Sequence, residues 1–263
     1  MVDFANRFSK VLMWYGIDEP GGDRLEMALN AHERFAAADP HRPVSAACNN
    51  VGVFADGVRA YDLLMMDPYI IFPKRGPSRE PIAGWVDAGM RAGKGRVPVW
   101  VVPQAFAIDN TWAEPTNEEL RCRAYLSIVH GATGLVWYAW FTTETWSGNP
   151  KGRNQWFLPD SPMWPYFTRL NAEINELAPV ALEGDVKGPV ACDNDAIHCQ
   201  MWELGGVRTL IAVNPRVEAE TCRISGLAGA AAQVMFEDRE LALEGGVLTD
   251  SFAPLAVHVY RLR

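Results

Sequence analysis

A chain of 263 residues in which 49% of the side chains are hydrophobic can bury a sizeable core, as one large domain or two smaller ones. Its 24 basic and 32 acidic residues leave a net charge of −8 with no basic tract, so no nucleic acid is expected as partner. No apolar run reaches the ~18 residues of a membrane span, so no membrane is expected either, and the start MVDFANRFSK lacks a signal peptide's apolar core. The compartment is left open: cytoplasmic, or exported if an upstream leader has been lost.

In chain order, residues 1–10 read as the last turns of a helix whose beginning is missing. Residues 11–20 then organise everything that follows. Val11, Leu12, Met13, Trp14, Tyr15 and Ile17 surround one glycine without polar alternation, the pattern of a strand buried on both faces, and the strand delivers Asp18 and Glu19 before Pro20 stops it. Carboxylates at the carboxyl end of such a strand sit where barrels and open α/β sheets place their chemistry. Asp18 has a plainer reading as the cap of the next turn, and Glu19 as half of a structural salt bridge.

After the Gly21-Gly22 turn, residues 23–38 carry Leu25, Ala28, Leu29, Ala31, Phe35 and Ala36 at helical spacing. A short strand over 44–48 closes on Asn49-Asn50. A helical piece around 53–61 leads to a third apolar strand, from Leu63, ending in Asp67-Pro68-Tyr69. A Pro/Gly/Arg loop and a helix over 82–92 precede a fourth, from Val97 to Gln104-Ala105-Phe106. Thr116-Asn117-Glu118-Glu119 matches a capping box and opens a helix to about His130. The fifth strand, 134–140, ends in Trp140 and runs into a long loop rich in Trp, Gly and Asn; a helix over 162–177 closes the series. Strand and helix alternating five times imply parallel strands with right-handed crossovers.

Beyond Pro179 the texture changes to short strand-like runs, 196–202, 208–214, 221–224, 233–237 and 256–262, between Gly, Asn and Asp turns. This reads as a small antiparallel sandwich with a boundary near 183–188. The five cysteines form no CxxC pair and no histidine has metal spacing, so neither a metal nor another cofactor is expected. Cys192 and Cys199 are spaced to pair across a hairpin in an oxidising compartment; without a leader, buried free thiols are the expectation. Trp112, Trp146 and Trp156 lie in irregular stretches, where a flat ring often lines a binding surface.

The ordered strand ends, Asp18-Glu19-Pro20, Asn49-Asn50, Asp67-Pro68-Tyr69, Gln104-Ala105-Phe106 and Trp140, resemble strands four to eight of the (β/α)₈-barrel glycoside hydrolases of clan A. The resemblance covers nearly the whole chain and implies an α/β fold: a partial TIM barrel over 1–182, then a small antiparallel β-sandwich over 186–263. It implies a carbohydrate substrate, with Glu19 at the acid/base position. The nucleophile position falls on Gln104, and an amide cannot attack an anomeric carbon. A retaining enzyme needs two carboxyl groups about 5 Å apart. The second is therefore sought in Asp67 or Asp18, more weakly in Glu144; otherwise the protein binds sugar without cleaving it, or is an inactive fragment. Asp67, before a proline, also has a plainer role in bonding turn amides. Asn49, Tyr69 and Gln104 are expected to hold hydroxyls, with Trp112, Trp140 and Trp146 stacking on sugar faces. With about 182 residues ahead of the sandwich, against about 250 for a full barrel, strands one to three are expected to be missing. The apolar edges left behind then favour an oligomer or a complex with the missing barrel segment.

Overall fold

The computed structural model describes residues 2–8, 10–71, 81–108, 111–139 and 163–263. It is a mixed α/β chain with parallel and antiparallel sheets in two compact units. One comprises Met1–Pro68, Gly84–Val102 and Gly131–Val136, the other Tyr69–Ala83, Pro103–His130 and Trp137–Arg263.

The first unit holds the parallel strands β1 (Trp14–Tyr15), β2 (Val44–Ser45), β3 (Ala47–Cys48), β4 (Leu64–Met66), β5 (Val99–Val101) and β6 (Gly134–Leu135). β1 pairs with β2, which Ala46 alone separates from β3; β3, β4, β5 and β6 then pair in chain order, every pair parallel. Every residue from Val44 to Cys48 and from Leu64 to Met66 is buried, as strands with both faces covered require, and Val99 and Val101 are buried on β5. Helices α1 (Val2–Ala5), α2 (Leu25–Ala38), α3 (Phe54–Ala60) and α4 (Pro81–Gly93) are interleaved with the strands along the chain. The Trp14 ring stacks on Phe35 of α2 with centroids 5.2 Å apart, and its indole N–H donates to Asp39 at 3.1 Å. That contact fixes β1 against its helix, while the Arg42 guanidinium beside Asp39 holds its carboxyl below the usual range. β6 comes close to β5 because Gly134 has no side chain: a Cβ there would lie 2.5 Å from the Trp100 ring.

The second unit contains α5 (Asn117–Val129), α6 (Trp164–Glu183) and strands β7 (Asp185–Lys187), β8 (Ala191–Cys192), β9 (His198–Leu204), β10 (Val207–Val213), β11 (Glu220–Ser225), β12 (Ala231–Met235), β13 (Arg239–Ala242), β14 (Leu248–Phe252) and β15 (Val257–Leu262). They form an antiparallel sheet of order β13-β12-β15-β10-β9-β7 and a second of order β14-β11-β8. Leu210, Ala212, Ile224, Val234, Leu248, Phe252 and Tyr260 meet in one buried core. The expected capping box is present: the Thr116 side chain accepts from the Glu119 amide, and the Glu119 carboxylate accepts from the Thr116 amide. Arg121 on α5 then reaches Glu173 on α6 at 2.9 Å and the Val257 carbonyl at 2.7 Å.

Two expectations are corrected here. The strand expected to run from Val11 into Ile17 with both faces buried is limited to Trp14–Tyr15, and Leu12 and Tyr15 are 68% and 53% exposed. The helix expected to end at Leu177 runs to Glu183 through Pro179, and the Gly184 amide donates to the Val180 carbonyl to close its final turn. All five cysteines are thiols rather than disulfides, with Cys192 and Cys199 half-buried on strands of different sheets. Among the described residues, no helix is long and apolar enough to cross a membrane.

Candidate functional site

The expected site residues divide between the two units. In the first, Asp18, Glu19, Asn49 and Asp67 follow the strand ends as the sequence pattern implies. The Glu19 amide donates to the Ala47 carbonyl at 2.9 Å and the Asp67 amide to the Cys48 carbonyl at 3.5 Å, so β3 is flanked by Glu19 on one side and Asp67 on the other. Two strand spacings separate their backbones by roughly 9–10 Å. Glu19 has φ +50°, a left-handed conformation that costs a side-chain-bearing residue about 1–2 kcal/mol. Its carbonyl accepts from the Gly21 amide at 2.9 Å, a tight turn over Pro20.

Asp18 is exposed, and one of its oxygens is taken: the Tyr15 hydroxyl donates to it at 2.6 Å while accepting from the Ala47 amide at 3.1 Å. Burial, and then the Asp18 contact, push the Tyr15 phenol above its ordinary range, and the charge of Asp67 adds to the effect. The Cys48 thiol is pushed up to about 12 by burial and then by the charges of Asp67 and Asp18. Both carboxylates thus act on the same small volume at the ends of β1 and β3. Asp67 is buried, 7% exposed, whereas Asn49 is exposed and its neighbour Asn50 caps the following turn by accepting from Gly52.

In the second unit, Gln104 is fully buried with its amide turned to the backbone. Oε1 accepts from the Ile71 amide at 2.9 Å, and Nε2 donates to the Phe106 and Ala113 carbonyls, each at 3.1 Å. The side chain pins the Tyr69–Ile71 stretch to the 106–113 loop, and a sugar hydroxyl would have to displace one of these bonds. The same loop carries Trp112, whose indole N–H donates to the Tyr69 carbonyl at 3.3 Å. Tyr69, Phe106, Trp112 and Tyr138 form one aromatic group: Tyr69 stacks on Tyr138 at 5.8 Å and 23°, and meets Phe106 and Trp112 edge-on. Tyr138 is half-exposed and completes the group, yet nothing in the sequence marked it, because it sits in an apolar run with Trp137. Trp140, Glu144, Trp146 and Trp156 lie outside the described residues. Among the described residues, no group of three or more His, Cys, Asp or Glu side chains is placed to hold a metal ion.

No protein-family model matches the chain, and no curated protein matches it. Solved structures do. An α-amylase from Anoxybacillus matches at TM-score 0.58 and 12% identity over 90% of this chain and 56% of its own. A GH30 endoxylanase from Clostridium papyrosolvens matches at TM-score 0.58 and 12% identity over 100% of this chain and 68% of its own. A maltogenic α-amylase from Thermotoga neapolitana matches at TM-score 0.56 and 13% identity over 99% and 63%. The chain therefore spans between about half and two thirds of these enzymes' lengths, and at such identity the likeness is one of fold. In fold the chain is similar to glycoside hydrolases, in line with the ordered strand ends.

Proposed function

We propose that this chain is a glycoside hydrolase-like protein that cleaves O-glycosidic bonds by carboxylate acid/base catalysis, with Glu19 as the general acid. Residues 1–182 then correspond to strands four to eight of a barrel and 186–263 to its accompanying β-sandwich. One observation carries the reading: Glu19 is held at φ +50° where a parallel strand ends, across one strand from the buried Asp67. Strain of this kind persists where surrounding structure enforces it, and such positions cluster at active sites. Glu19 would protonate the leaving oxygen. Asp67, buried where β4 ends, is taken as the partner carboxylate, and Asp18, which accepts from the Tyr15 hydroxyl, as the alternative. A backbone separation of two strands suits a water held between the carboxyl groups, as in inverting enzymes, whose carboxyls lie about 6.5–9.5 Å apart. Asn49 and Tyr69 would hold hydroxyls and Trp112 would stack on a sugar face, with Trp140 and Trp146 in the same role; Gln104 would contribute mainly by fixing the loop that carries Trp112. Replacing Glu19 with Gln is expected to lower turnover of aryl glycosides by about 10²–10⁴-fold with the unfolding midpoint unchanged. Unaltered turnover would overturn the assignment.

The buried Gln104 favours a second reading, a carbohydrate-binding relative without chemistry, since the usual nucleophile position is spent on backbone. Saturable sugar binding by calorimetry, with no hydrolysis by the native chain, would select this reading over the first.

A further inference from the structure

Where β1 gives way to the Asp18-Glu19 turn, its pairing slips by one residue. The Trp14 amide donates to the Pro43 carbonyl and the Gly16 amide to the Ser45 carbonyl, two residues on for each strand, as a parallel ladder requires. The next bond runs from the Glu19 amide to the Ala47 carbonyl, three residues on against two. An extra residue of this kind acts as a β-bulge, which re-aims a side chain and leaves backbone groups outside the ladder. Two tyrosine hydroxyls take up those groups. Tyr15 accepts from the Ala47 amide at 3.1 Å, and Tyr61 donates to the Ile17 carbonyl at 2.5 Å.

Tyr61 is buried just past the end of α3, where its amide donates to the Gly57 carbonyl, and it packs with Trp14, Ala28, Val44 and Ala46. Its ring lies so near the main chain of residue 16 that a Cβ on Gly16 would be 2.9 Å from Cε1. The glycine admits the ring, and the ring carries the hydroxyl to Ile17. Burial is the largest influence on the Tyr61 phenol and pushes it above its ordinary range, so it keeps its hydrogen and remains a donor at neutral pH.

We propose that Tyr61 is a positioning residue for Glu19, its hydroxyl fixing the bulge from which the Glu19 carboxyl is presented. The proposal rests on the reading of Glu19 as general acid. Three successive peptide planes are each anchored by one hydrogen bond: the Ile17 carbonyl to Tyr61, the Glu19 amide to Ala47, and the Glu19 carbonyl to the Gly21 amide. The φ of +50° at Glu19 lies between the second and the third. Only the first anchor comes from a side chain, so it alone can be removed by substitution with the main chain left as it is.

Tyr61→Phe keeps the ring against Gly16 and removes the hydroxyl. In amide exchange followed by NMR on the whole chain, Glu19 and Gly21 should exchange about 2- to 10-fold faster, the worth of one hydrogen bond, with Trp14 and Gly16 unchanged. On aryl glycosides, kcat should fall by about 10- to 100-fold for weakly acidic phenols, as for a displaced catalytic group, with KM unchanged and little loss for strongly acidic phenols. Gly16→Ala, which drives the ring off the main chain, should quicken the same two amides and supplies the test if Tyr61→Phe does not fold. Native exchange rates at Glu19 and Gly21 in these variants, or a Tyr61→Phe chain slowed equally on every phenol or on none, would overturn the proposal. If Glu19→Gln itself loses nothing, the general-acid reading falls and this proposal with it. The exchange rates, which do not depend on turnover, tell that failure from a failure of the Tyr61 anchor.

Discussion

Restoring a carboxylate at the strand end that carries Gln104 is the obvious way to seek retaining chemistry, and the structure predicts that Gln104→Glu will damage the fold without supplying a nucleophile. The native amide accepts one backbone hydrogen bond and donates to the Phe106 and Ala113 carbonyls, with a longer contact to the Ile71 carbonyl at 3.4 Å, while fully buried. A carboxylate keeps the bond from Ile71 but faces two carbonyl oxygens with no hydrogen to offer. Each carbonyl left without a donor costs about 1–3 kcal/mol, so the loss at pH 7 should be roughly 3–5 kcal/mol, a large part of a net stability of about 5–15 kcal/mol. The new acid relieves one contact by holding its proton, which raises its folded pKa above the unfolded value near 4.3. Below about pH 4 the penalty therefore falls to that of the one carbonyl still without a donor, and it grows as pH rises, by up to about 1.4 kcal/mol per unit, until the folded pKa is passed. Urea unfolding followed by tryptophan fluorescence at pH 5 and pH 8 measures this. A loss under about 1 kcal/mol at both pH values, far below the desolvation cost of a buried unsatisfied carbonyl, would refute the backbone-clamp account.

Other consequences are independent of that clamp. Gly134→Ala places a methyl group against the rigid Trp100 ring and should cost about 1–3 kcal/mol by overpacking; a thermal midpoint equal to the native one would contradict the close β5–β6 approach. Thr116→Ala removes the cap of α5 and should cost about 1 kcal/mol in urea titration, with little change if the helix start lies elsewhere. Burial pushes the Asp250 carboxyl up, but the two-pronged contact with Arg239 at 3.0 and 2.9 Å, with Tyr260 and the Ser251 amide, outweighs it and holds the pKa below the carboxylate range. That stability is present above the unfolded pKa near 3.9 and lost as pH falls through the folded one. Asp250→Asn should flatten the decline in unfolding midpoint between about pH 4 and pH 2, and an unchanged slope would remove Asp250 from the account.

What the sequence made legible follows physical lines. Parallel strands buried on both faces advertise themselves as unbroken apolar runs, so the residues around Val44, Leu64 and Val99 were readable, as was the reciprocal cap at Thr116 and Glu119. β14, with Leu248 and Phe252 buried and Thr249 to Ser251 between them, was not, because its polar middle reads as a turn. The direction of the Gln104 amide was illegible for another reason: its partners at Ile71, Phe106 and Ala113 come from a loop that has to fold back first. Tyr138 escaped notice because an aromatic within an apolar run looks like core until its neighbours are known.

The central claim is that Glu19 gives a proton to a departing sugar oxygen. Its most direct test compares the native chain with Glu19→Gln on aryl glycosides whose leaving groups range from strongly to weakly acidic phenols. The account predicts that Glu19→Gln loses about 10²–10⁴-fold on the weakly acidic phenols that need protonation, and progressively less as the phenol becomes a better leaving group. An equal loss across the series, or none, would contradict it.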